Sequence, residues 1–181
     1  MSKIKDSFAP FKKTGNLAVI ALLIAANVVL SRFLSINVWN MKIGFTFLTV
    51  AFAAYFMGPV AAALVGGLGD LIGALLFPIG PYFPGFTATA VLTGLCFGIF
   101  LYNNRKTERI ILSVLINEAV GGLLINSFWI SVLYSSPFKA LVASRLVGQI
   151  LPMAVLESVV LVLLFGKSMA VEQIKKNFAK Q

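Results

Sequence analysis

Long apolar runs broken by short polar or Pro/Gly-rich stretches set the pattern of this chain. A hydrocarbon core about 30 Å thick takes about 20 helical residues, so runs of this length predict membrane helices. The first covers residues 17–34 and the second 43–57. Gly58 and Pro59 break the second, and a third follows over 59–77. Residues 77–85 (FPIGPYFPG) hold three prolines and two glycines, too many for a helix interior, and predict a loop with fixed turns. The fourth run covers 86–102 and ends at the polar stretch 103–109. A fifth over 110–134 and a sixth over 142–165 are separated by the turn SSPF. In the tail 167–181, Ala170, Val171, Ile174 and Phe178 recur at helical spacing among lysines, which predicts an amphipathic helix on the cytoplasmic membrane surface. The expected architecture is an all-α integral membrane protein: one domain over residues 1–181, with six transmembrane helices.

Charge tests the count. With six spans, the segments on the side of the termini carry Lys3, Lys5, Lys12, Lys13, Arg105, Lys106, Arg109, Lys167, Lys175, Lys176 and Lys180. The other side carries only Arg32, Lys42, Lys139 and Arg145. The positive-inside rule therefore predicts cytoplasmic termini and an outward-facing Pro-rich loop. This asymmetry also accounts for the net charge of +9, and no basic domain suggests nucleic-acid binding. Composition agrees: 59% of residues are hydrophobic and 12% charged, against roughly 25% charged in soluble domains. The basic N-terminal stretch precedes a long apolar run without an A-x-A-like cleavage site, so it reads as a cytoplasmic tail, not a removable signal.

Enzyme chemistry finds little support. The chain has no histidine, and Cys96 is its one cysteine. This removes the usual proton shuttle and leaves no disulfide framework, metal-spaced cluster or Ser/His or Cys/His pair. Gly166, Lys167 and Ser168 resemble the end of a phosphate-binding loop, but Leu161 stands where the first glycine is required. No cofactor is expected, and the chain carries no ATP-binding machinery of its own. A channel is disfavoured by the apolar helices, and a self-sufficient secondary transporter by the lack of repeats and broken helix pairs.

The interruptions of apolarity gather toward the outer face. The first outer connection offers Asn37, Trp39 and Lys42, with Arg32 before it. The Pro-rich segment offers Tyr82, Phe83 and Phe86, followed by Thr89. The fifth run adds Asn126 and Trp129, the sixth Arg145 and Gln149. Aromatics held between prolines and glycines suit a preformed lid over an outward-facing pocket. Its ligand should be flat, because aromatic rings stack, and anionic, because the outer residues are basic. Asp70 sits roughly 16 Å into its helix at a rise of about 1.5 Å per residue, near mid-membrane. Intramembrane charges usually face a cavity or each other. Asp70 and Arg145 are thus either ligand contacts or a structural ion pair. Glu118 and Glu157 are expected to be structural, as protonated or hydrogen-bonded helix contacts. Gly69 and Gly73 form a small-xxx-small pattern that lets a neighbouring helix approach beside Asp70. Ala21 and Ala25 form another on the first helix.

These residues carry a resemblance. With the six helices and the A-x-x-x-A pattern of Ala21 and Ala25, the chain resembles the substrate-binding S components of energy-coupling factor (ECF) vitamin transporters. SRFLSI at 31–36 and GDLIGALLFPIGPYFPGFTATAVLTG at 69–94 look like the folate-specific members of that family. The resemblance covers most of the chain. It implies a receptor in the bacterial plasma membrane that binds folate from outside. It further implies docking, through Ala21 and Ala25 among others, on a membrane coupling protein driven by two cytoplasmic ATPases. An S component for another vitamin, or a non-transport membrane binding protein, are the alternatives. Under the folate reading, Asp70 could accept hydrogen bonds from the pterin, Arg32, Lys42 or Arg145 could pair with the glutamate carboxylates, and Phe83, Phe86 and Trp129 could stack on the rings. One tension follows: Ala25 and Arg32 are seven residues apart and share a helix face within roughly 20°, so one face must serve both partner and pocket unless the helix tilts or bends.

Overall fold

A computed structural model describes residue 11, residues 13–38 and 41–166, and residues 171 and 173; at 37, 38 and 41 the description covers the backbone. Trp39, the lysines at 3, 5 and 12, and most of the expected amphipathic tail lie outside the described residues. Of that tail, Val171 is helical and buried in the core.

Helix α1 (Thr14–Arg32) leads into a β-hairpin of β1 (Ile36–Val38) and β2 (Met41–Ile43), paired antiparallel with Ile36 opposite Ile43. Then come α2 (Thr46–Met57), α3 (Pro59–Leu76) and α4 (Pro84–Leu101). Two long helices close the bundle, α5 (Thr107–Tyr134) and α6 (Phe138–Gly166). Five of these helices are long and apolar enough to cross a membrane, and α2 is a shorter apolar sixth. Large apolar side chains face outward along them, among them Leu22, Ile99, Val147 and Leu163 at 68–73% exposure. Such a surface is suited to lipid, where apolar side chains need no cover. The chain is thus a multi-pass membrane protein.

The six-helix count fits the apolar pattern, with one change. The second run was expected to span from residue 43, but residues 41–43 are a strand and α2 has only 12 residues. At about 1.5 Å per residue it is about 18 Å long, too short to cross alone. It has no need to, because it is walled in by protein. Ala51, Ala53, Ala54, Tyr55 and Met57 are all essentially inaccessible. A helix apolar all round is a core helix. It ends at Gly58, whose φ of 89° favours glycine, and Pro59 opens α3 where a missing N–H costs nothing.

Small residues set the closest packing. A Cβ at Gly94 would collide with the backbone of Ala62, and one at Gly98 with the backbone of Pro59, so α3 and α4 meet nearly backbone to backbone. Gly69 and Gly73 do admit a neighbouring helix beside Asp70, as their spacing predicts. That neighbour is α1, which places Asn27 against Gly69 and Arg32 against Gly73.

Both long helices depart from α geometry. Residues Asn117–Ile125 in α5, and Leu146–Ile150 and Val162–Gly166 in α6, are π-helical. A π segment widens the turn and re-aims side chains, and such segments frequently occur at functional sites.

Candidate functional site

A cavity of about 430 Å³ opens at the hairpin end of the bundle, within the roughly 300–1,000 Å³ range of small-molecule sites. Every helix from α1 to α6 contributes to its wall, together with β2 and the Pro-rich segment. Of the residues expected from sequence, Arg32, Lys42, Asp70, Tyr82, Phe83, Phe86, Thr89, Asn126, Arg145 and Gln149 all line it.

At its mouth lies a charged group. Arg32, in the last turn of α1, reaches Asp70 on α3 with Nη2 3.7 Å from Oδ1. The same nitrogen donates to the Asp70 carbonyl at 3.4 Å. Thr87 donates its hydroxyl to Asp70 Oδ2 at 2.8 Å. Asp70 therefore ties α1 to the start of α4, and its ion partner is Arg32, not Arg145. Six residues before the end of α3, Asp70 lies about 9 Å from the hairpin end of that helix and about 16 Å from its start. Lys42, on the hairpin outside the helices, donates to the Ser31 hydroxyl at 2.7 Å. Burial and the adjacent Arg32 charge lower its pKa from 10.5 to about 8, with Asp70 pulling the other way.

Aromatic rings form the next layer. Phe83 lies 6.0 Å from Phe86 and 5.5 Å from Trp129, centroid to centroid. Trp129 is not itself on the cavity wall. Its indole N–H donates to the Thr89 hydroxyl at 3.2 Å, and Thr89 in turn donates to the Gly85 carbonyl at 3.0 Å. The indole thus braces Phe83 and the start of α4 from behind. Gly85 permits this, because a Cβ there would fall within 2.6 Å of the indole ring. Of the hairpin residues, Asn37 is placed by its backbone opposite Lys42.

Deeper in the cavity lies a second polar group, of which sequence reasoning named Arg145 and Gln149 as site residues, treated Glu118 and Glu157 as structural and missed Asn117. Asn117 and Glu118 come from α5, Arg145, Gln149 and Glu157 from α6. Arg145 is 3% exposed and donates from Nη2 to the Gly122 carbonyl at 3.2 Å. Glu118 lies within electrostatic reach of both Arg145 and Glu157. On the α1 side, Asn27 donates to the Thr49 hydroxyl at 2.7 Å. Sequence held one signal for the deep group: three ionisable residues inside apolar runs, which are rarely without a purpose in a membrane.

The face tension of α1 is resolved by side-chain length. Ala21 and Ala25 are exposed on the bundle surface. Arg32, at the helix end, swings its long side chain round to Gly73 and Asp70 and is 11% exposed.

Comparison with known proteins gives four matches. A family model for the ECF transporter substrate-specific component matches residues 15–166. The folate transporter FolT of Clostridium novyi (strain NT) is 36% identical over 139 residues, covering 76% of this chain and 81% of that protein. FolT of Leuconostoc mesenteroides subsp. mesenteroides is 27% identical over 149 residues, covering 78% and 80%. Among solved structures, a crystal structure of FolT bound with folic acid superimposes with a TM-score of 0.80 at 30% identity, covering 86% of this chain and 95% of the other.

Proposed function

The chain belongs to the family of substrate-specific components of ECF transporters, and from that premise we propose that it is the folate receptor of such a transporter. It is a binding subunit and not an enzyme. The observation that carries the reading is a cavity with cations and aromatic rings in a fold similar to one that holds folic acid. Folate matches those walls: it is flat at the pterin end and dianionic at the glutamate end. Phe83 and Phe86 offer faces for the rings, and Arg32 and Lys42 offer charge for the carboxylates.

Both termini face the cytoplasm in this reading, which places the hairpin and the Pro-rich segment outside, in the bacterial plasma membrane. Lysine and arginine asymmetry supports that orientation. Release of folate inward is driven, in this reading, by a membrane coupling protein and two cytoplasmic ATPases, the partners that membership of the ECF family implies. The exposed pair Ala21 and Ala25 gives a smooth strip on which a helix of the coupling protein can pack closely.

Calorimetry on the purified protein with folate, pantothenate and thiamine tests the receptor role. Tight folate binding without ATP is the expected result. Tight binding of thiamine and none of folate would assign the chain to another vitamin.

A further inference from the structure

The rim of the cavity is uneven in height. At the end opposite the hairpin the helices are held level. A Cβ at Gly98, near the end of α4, would collide with Pro59, the first residue of α3. The Asn103 N–H just after α4 donates to the Tyr55 carbonyl near the end of α2 at 3.4 Å. Arg105 Nε, just before α5, donates to the Phe165 carbonyl at the end of α6 at 2.9 Å. From that base α3 and α4 each run 18 residues, α5 runs 28 and α6 runs 29. The long pair overtops the others. Trp129 packs against Gly85, the second residue of α4, and α5 continues five residues further to Tyr134, about 8 Å at a rise of about 1.5 Å per residue. On the other side α1 ends level with α3, since its last residue, Arg32, lies against Gly73.

Side-chain chemistry follows this height. On the low side Phe33, Leu34 and Ile36 beyond α1, and Leu75, Leu76 and Phe77 at the end of α3, are 45–67% exposed. The Phe33 and Phe77 rings meet edge to face with centroids 5.2 Å apart, so the two groups form one patch. From Leu71 to Pro81 no side chain is polar. On the high side the exposed residues are mixed: Tyr134, Ser135, Phe138 and Lys139.

What covers the low patch follows from what it adjoins. Val29 on α1 and Leu68 and Ile72 on α3 belong to the exposed apolar surface that these helices turn to lipid, and the patch continues that surface without a polar break. Backbone chemistry sets the depth. The Gly73 carbonyl accepts the Phe77 N–H, but the later carbonyls of α3 have passed the last helical donor, and four residues beyond Ala74 stands Pro78, which has no N–H. Such carbonyls need water or lipid headgroups and cannot lie in mid-bilayer.

We propose that this low lip is a lipid-binding edge of the cavity. Phe33, Leu34, Ile36, Leu75, Leu76 and Phe77 sink among the acyl chains of the leaflet on the hairpin side, at their boundary with the headgroups, while the α5–α6 side of the rim stands in water. The cavity therefore opens on a slant, with Arg32 and Asp70 at headgroup level directly behind the lip. This holds whichever vitamin the cavity takes and whichever side of the membrane the hairpin faces.

The test reads spin labels on the full chain in phosphatidylcholine vesicles with no other protein, in a Cys96→Ala background. Leu34→Cys, Ile36→Cys and Leu76→Cys report the lip, Leu22→Cys the bilayer interior and Lys139→Cys the high rim. Collisions with oxygen, which concentrates among acyl chains, are compared with collisions with a neutral nickel chelate present on both sides of the bilayer. Chelate collisions at the lip should be about tenfold rarer than at Lys139→Cys, because a polar chelate is excluded from an apolar layer. Oxygen collisions there should be as frequent as at Leu22→Cys. Chelate collisions matching those at Lys139→Cys would put the lip in water and overturn the proposal. Rare collisions with both reagents would mean that a second copy of the chain covers the lip, and would overturn it equally. Each lip site is read separately, so a single folded variant decides.

Discussion

Raising the pH should weaken folate binding through one lysine, and by a calculable amount. Lys42 stands at about 8 in the folded protein, below its ordinary 10.5, chiefly because burial penalises its ammonium and secondarily because Arg32 repels it. The sign follows from linkage. Between about 8 and 10.5 the unfolded chain binds a proton that the folded chain has lost, so this group destabilises the free protein below pH 8 and the penalty is relieved as pH rises. A bound carboxylate reverses the balance, because an opposite charge favours the ammonium. Binding above pH 8 must then take up a proton. With a pKa of about 8, the ammonium is present in about nine-tenths of molecules at pH 7 and about one-tenth at pH 9. Apparent affinity scales with the competent fraction, so Kd should rise about tenfold between those pH values, about 1.4 kcal/mol. The assay is folate titration of wild type and Lys42→Met across pH 7–9. The pterin lactam itself titrates in mild alkali, so the readout is the difference between the two curves: wild type should lose about tenfold more than the variant over the range. Parallel curves would refute the reasoning and remove Lys42 from contact with the ligand's charge.

Other perturbations separate binding from architecture. Asp70→Asn removes the ion pair with Arg32 and weakens the Thr87 bond; it should cost about 1–2 kcal/mol of stability and lower folate affinity, read by thermal unfolding with and without ligand. Gly98→Val drives a side chain into the Pro59 backbone, which cannot yield as a side chain would; it should cost about 3 kcal/mol or more and sharply lower the yield of folded protein. Trp129→Phe keeps the ring behind Phe83 but drops its N–H bond to Thr89, so folate affinity should fall by no more than about fivefold, near 1 kcal/mol. Ala21→Trp with Ala25→Trp alters only the exposed strip of α1; folate binding should persist while uptake by the assembled transporter stops, and preserved uptake would remove the docking role.

Much of this was written in the order of residues. Spans of apolar side chains long enough for a bilayer could only become helices or a closed barrel, because lipid offers the backbone no partners, and their lengths pointed to helices. Prolines at 78, 81 and 84 fixed where helix had to stop, and Pro84 also marks where it resumes. Most of the mouth was legible too, since Arg32, Lys42, Asp70 and the Pro-rich aromatics interrupt apolar runs near one end. The hairpin was not: Ile36–Ile43 is short, and its pairing depends on the helices that support it.

What the order of residues could not decide was which polar group answers which. Asp70 and Glu118 look alike as lone carboxylates within apolar runs. Only packing shows that α1 brings Arg32 across Gly73 to satisfy the first, and that the second is left with an open oxygen beside the cavity. The π turns add to this, because inserting a residue into a helical turn rotates every side chain after it by an amount that apolar periodicity does not encode. Hydrophobicity is a local property and fixes where a chain crosses the membrane. Hydrogen-bond satisfaction is a property of pairs, and it exists only once the helices have met.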